Sequence, residues 1–131
     1  MSNLDRSAKV ISTILARLLE NGLQESWLKD SDLDLPPDEL VFVKTCFEWL
    51  VSEGLVRYQS DVGSDAGAAW INPVLTARGF AVLGTKLKFD GVELTVAEIV
   101  ERKEAIGGSY SKIGEFLGAG LGGFIKSMGS S

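Results

Sequence analysis

At 131 residues, 45% of them apolar and 8% aromatic, the chain is sized for one packed domain and is too apolar for general disorder. A formal net charge of −5 leaves no basic surplus to drive binding to phosphate backbones or anionic lipid. One cysteine and no histidine exclude an intrachain disulfide, and in practice a Cys/His zinc site and Ser–His or Cys–His nucleophile pairs, so a non-enzyme without metal or cofactor is expected.

The opening Met1-Ser2-Asn3-Leu4-Asp5-Arg6 carries charge and leads into no long apolar run, which is not a secretory signal and points to a cytoplasmic setting. From residue 4 to 21, Leu4, Val10, Ile11, Ile14, Leu15, Leu18 and Leu19 recur at steps of three and four, which predicts a helix. Gly22 suits its left-handed stop. Leu23 to Leu35 is short and acidic, with room for one short helix. Pro36-Pro37-Asp38-Glu39 is a helix start, with proline and acids in the first turn, and the helix is expected to run to about Glu53.

Next come a strand at Gly54-Leu55-Val56-Arg57-Tyr58, a loop from Asp61 to Gly67 and a second strand at Ala69-Trp70-Ile71. Thr76 is placed to cap a short helix over Ala77 to Leu83. Thr85 to Leu94 reads as an extended connector, and Thr95-Val96-Ala97-Glu98 has capping-box spacing for a helix to about Glu104. The segment after Ala105 differs in composition and holds eight of the fifteen glycines.

Two phrases carry a family likeness: Glu53-Gly54-Leu55-Val56-Arg57-Tyr58, a helix stop entering a strand, and Leu75-Thr76-Ala77-Arg78-Gly79-Phe80, which has the form L-T-x-x-G. With them, residues 4 to 84 resemble the winged-helix (winged helix-turn-helix) superfamily. The resemblance implies an α+β, mainly α fold, with a small β-hairpin and extra C-terminal helices. The expected layout is a winged-helix-like domain over 1–94, then a helix and glycine-rich amphipathic tail over 95–131.

Many winged-helix proteins bind DNA through the helix before the first wing strand, here Pro37 to Glu53. At about 100° per residue, Leu40, Val43, Cys46, Phe47, Leu50 and Val51 form its core face. The opposite face holds Asp38, Val41, Phe42, Lys44, Thr45, Glu48, Trp49 and Ser52, of which few suit bases or phosphates. Lys29 to Glu53 contains two lysines and seven acids, a net −5 that repels phosphate. Asp38, Phe42, Thr45, Glu48 and Trp49 are therefore expected to bind a protein partner, with the aromatics as anchors unless they pack inside. The alternative is a DNA-binding transcriptional regulator using Lys44, Thr45, Arg57, Arg78, Lys86 and Lys88.

Cys46 lies on the core face, as an inert small hydrophobe. Gly63 to Gly67 lacks the lysine and spacing of a phosphate loop, and Asp30, Asp32 and Asp34 lack the glycine and distal glutamate of a calcium loop.

In the tail, Ile106, Tyr110, Ile113, Leu117, Leu121, Phe124 and Met128 form one helical stripe, with Gly114, Gly118 and Gly122 beside it. Three readings stand: the stripe folds back on the core, it self-associates, or it meets a membrane surface. Self-association to a homo-oligomer would use Ile113, Gly114, Leu117, Gly118, Leu121, Gly122 and Phe124. A spanning helix needs about 20 apolar residues, and the uncharged run Phe116 to Ile125 has only ten. The residues thus favour a protein-recognition module, ahead of a DNA-binding regulator and of a membrane-associated effector or toxin-neutralising (immunity) protein.

Overall fold

The computed structural model describes residues 3–63, 67–89 and 91–101. Helix α1 spans Asn3–Asn21 and buries Val10, Ile11, Ile14, Leu15 and Leu18, the stripe its spacing dictates. It stops at Gly22, whose φ of +61° is the left-handed conformation that glycine adopts without a Cβ penalty. The Gly22 N–H closes the last turn on the Leu18 carbonyl at 3.0 Å.

The chain then forms strand β1 (Trp27–Lys29), a 3-10 turn (Asp30–Leu33), helix α2 (Pro37–Leu40) and helix α3 (Val43–Ser52). One expectation is extended and one changes here. The segment after Leu23 does hold one short helix, the 3-10 helix Asp30–Leu33, but a strand precedes it, because Leu28 is buried opposite Trp70, a partner far along the chain. The helix expected from Pro37 to Glu53 is broken at Val41–Phe42. There the Phe42 N–H bonds to the Glu39 carbonyl, three residues back, at 3.0 Å, and the four-residue pattern resumes only with Cys46 on the Phe42 carbonyl at 2.9 Å. Glu39 on the first piece and Val43 on the second are both buried.

Strands β2 (Val56–Arg57), β3 (Ser60–Asp61), β4 (Ala69–Ile71) and β5 (Val74–Leu75) follow, then helix α4 (Ala77–Leu83). Strand β4 lies between β1 and β3, antiparallel to both, in a sheet of order β1-β4-β3, while β2 pairs with β5. One long ribbon is thus bent in the middle. The register is the same on both sides of the bend, and there the Gln59 N–H bonds to the Ile71 carbonyl at 2.9 Å. Asn72 sits at the bend with φ of +52°. Its N–H bonds to the Ser26 carbonyl at 2.7 Å, its Oδ1 accepts from Ser26 N–H at 3.0 Å, and its Nδ2 donates to Gln59 at 2.8 Å.

Thr76 caps α4 as its position predicts, its Oγ1 accepting from Gly79 N–H at 3.0 Å while its hydroxyl donates to the Gly54 carbonyl. The connector closes into an antiparallel hairpin of β6 (Lys86–Phe89) and β7 (Val92–Thr95). Helix α5 (Val96–Glu101) opens with the capping box in place: Thr95 N–H donates to Glu98 at 3.0 Å and Glu98 N–H to the Thr95 hydroxyl at 3.1 Å. The fold class is α+β, and one core joins α1, α3, the strands and α5, including Val96, Ile99 and Val100. At its centre Phe47 stacks on Trp70 with centroids 4.0 Å apart and meets Tyr58 edge-on at 5.5 Å.

Candidate protein-interaction face

Helix α3 spends Val43, Cys46, Phe47 and Leu50 on the core and turns Lys44, Thr45, Glu48 and Ser52 to solvent. Within the expected partner set, Asp38, Thr45 and Glu48 are exposed. Phe42 and Trp49 are half-buried and pack against the core, so part of each side chain is already used by the fold. The Thr45 hydroxyl donates back to the Phe42 carbonyl at 3.1 Å and that of Ser52 to the Trp49 carbonyl at 2.8 Å, which leaves their lone pairs for a partner. Asp38 faces Arg6 at 3.8 Å, an exposed pair of little energetic weight.

Glu39, one position on, is 4% exposed and takes a hydrogen bond from Lys9 Nζ at 2.9 Å. Among the described residues its second oxygen, Oε2, has no hydrogen-bond partner. This buried carboxylate is therefore an element of structure and not of the outer face. Cys46 is buried with its Sγ 3.8 Å from the Ser7 carbonyl, and burial pushes its thiol up to about 11, an effect its contact with Ser7 only partly offsets.

Between α3 and the β3–β4 ribbon lies a cavity of about 310 Å³ lined by Asp30, Lys44, Glu48, Asp61 and the buried Trp70, among others. Sheet pairing brings Asp30 and Asp61 to this cavity from separate segments, and α3 adds Glu48. Asp30 is held in place by exchange with Ala68: its N–H donates to the Ala68 carbonyl at 3.1 Å and its Oδ2 accepts from Ala68 N–H at 3.3 Å. Asp61 stands on β3 opposite Trp70. Sequence spacing gives no hint of this grouping, because it depends on which strand lies beside β1. Among the described residues, no group of three or more His, Cys, Asp or Glu side chains is arranged to hold a metal ion.

A second cavity of about 310 Å³ lies beside Leu23, Arg57, Tyr58 and Asn72. Trp27 on β1, by sequence an apolar anchor of the segment Leu23 to Leu35, is instead 55% exposed, the most open aromatic among the described residues. The cations of the DNA alternative are all exposed, but they sit on separate elements: Lys44 on α3 with Thr45, Arg57 on β2, Arg78 on α4, and Lys86 and Lys88 on β6. Arg78 lies over Gly54, its guanidinium near where a Gly54 Cβ would stand. The self-association set Ile113, Gly114, Leu117, Gly118, Leu121, Gly122 and Phe124 lies outside the described residues. No helix among the described residues is long and apolar enough to cross a membrane. Compared with family models, curated proteins and solved structures, the chain matches none.

Proposed function

We propose that this chain is a winged-helix-like recognition module that binds a protein partner through the outer side of α3 and the adjoining β3–β4 ribbon. The strand order β1-β4-β3, with β1 placed between α1 and α2 and the ribbon directly after α3, supports the winged-helix reading. The observation that carries the functional reading is the cavity between α3 and the ribbon, where Asp30, Glu48 and Asp61 stand against the single cation Lys44. A winged-helix protein that reads DNA lays this helix and wing on phosphate, and three carboxylates there repel it. The same charges suit lysine or arginine side chains of a partner, with the exposed parts of Phe42 and Trp49 adding apolar contact.

Two measurements test this. Random duplex DNA at low salt should show no retardation by the wild-type chain, while the charge-reversed Glu48→Lys/Asp61→Lys variant should gain weak, salt-sensitive binding. Retardation by the wild type would overturn the reading in favour of the regulator. Affinity purification from the native cell should return a protein that survives nuclease treatment and is lost with Glu48→Lys; a catch that nuclease abolishes would point the other way.

A further inference from the structure

Strand β3 closes one side of the sheet β1-β4-β3, and every residue from Arg57 to Gly63 is exposed. On its paired side, the Val62 N–H bonds to the Ala69 carbonyl at 2.8 Å. By the alternation of an antiparallel ladder, Asp61 and Gly63, on either side of Val62, turn their N–H and C=O groups away from β4. Among the described residues no hydrogen bond reaches those groups. Ser60 to Gly63 spans about 13 Å at the rise of a strand. That is longer than β1, whose three residues β4 already holds.

The side chains along this edge alternate between two surroundings. Asp61 lies on the α3 side, in the cavity with Asp30, Glu48 and Lys44, while Ser60 and Val62 fall on the other face and are exposed. The ion pairs among the described residues are Arg6–Asp38 and Lys9–Glu39, so neither Glu48 nor Asp61 has such a partner within the fold. A strand laid beside β3 puts its own side chains on the same two faces. Opposite Asp61, lysine or arginine meets carboxylates; opposite Ser60 and Val62, threonine or valine matches a small, β-branched surface. A second copy of this chain is a poor occupant, because β3 against β3 sets the Asp61 side chains of the two copies side by side.

We propose that the β3 edge takes an extended segment of the partner protein, antiparallel to β3, with lysine or arginine at every second position. This rests on the protein-partner reading above and gives the partner a shape: a strand with its backbone on β3 and its cations over Asp61 and Glu48. The geometry also fixes which amides bond. A residue facing Asp61 forms a hydrogen-bonded pair with it, so the basic residues turn their N–H groups to β3 and the residues between them turn theirs away.

Amide signals of the full-length chain in heteronuclear NMR, titrated with short synthetic peptides that alternate lysine and threonine, test this. The parent peptide should shift the amides of Asp61 and Gly63 and leave those of α1 in place. A peptide N-methylated at its threonine amides should bind as the parent does. One N-methylated at its lysine amides should bind at least about tenfold more weakly, although both keep every charge. A Cβ added at Gly63 meets nothing within 4 Å, so Gly63→Pro removes one edge N–H at an open position and should weaken the parent peptide about tenfold as well. Equal affinity for the two methylated peptides would overturn the proposal, charge attraction alone then accounting for the binding. So would the absence of shifts at Asp61 and Gly63 with the parent peptide in large excess. Neither result touches the protein-partner reading, which falls instead if the wild-type chain retards duplex DNA.

Discussion

Cys46 shows how one side chain acquires its chemistry from its position. It falls on the core side of α3, and burial lifts its thiol to about 11 from an ordinary 9.0. The folded chain thus favours the protonated thiol more than the unfolded chain does. Its contribution to stability is complete below about pH 9 and is lost as pH rises through about 11. The melting temperature of the wild type, followed by circular dichroism, should therefore fall more steeply between those pH values than that of Cys46→Ala. Parallel slopes would refute the assignment. Glu39 makes the opposite point about legibility. Its place in a helix start, beside Asp38, marks it as a solvated acid that favours the helix dipole. Its burial against Lys9, 30 positions away, is a tertiary fact that no local pattern encodes.

Among the elements, α4 explains why its motif has the form it has. Thr76 caps the helix, and Gly79 lies so close to the residue before β2 that an added Cβ would run into the Leu55 carbonyl oxygen. The Thr76 N–H bonds to that same carbonyl at 3.0 Å, so the backbone cannot easily yield. Gly79→Ala should cost about 1–3 kcal/mol in urea unfolding, and a neutral result would mean that α4 can lift away without loss. Much of this level was legible. The apolar stripe of α1, its stop at Gly22, the Thr76 cap and the Thr95–Glu98 capping box all depend on neighbours within four residues. What the sequence left hidden is non-local: β1 exists because Leu28 finds Trp70, and Asp30 and Asp61 come to one cavity with Glu48 of α3 because β4 lies beside both β1 and β3. The aromatics expected as open anchors, Phe42 and Trp49, are half-buried for the same reason.

At the scale of the molecule, one core reaches from Val10 to Val100. Ile99 is 4% exposed within it. Ile99→Ala should then lower global stability by about 2–4 kcal/mol in urea titration, whereas a loss near zero would mark α5 as a separate, weakly attached piece. The sheet has a further consequence. Ser26 and Asp30, which flank β1, bond to Asn72 and Ala68, which flank β4, so by the alternation of an antiparallel pair Trp27 and Lys29 point their backbone bonds outward. Asp32 Oδ2 takes the Lys29 N–H at 3.2 Å. An open strand edge is a template on which copies of a chain stack into aggregates. Here the 3-10 turn folds its own carboxylate over that edge at Lys29. The acidic stretch after β1 thus also shields the sheet from its own kind.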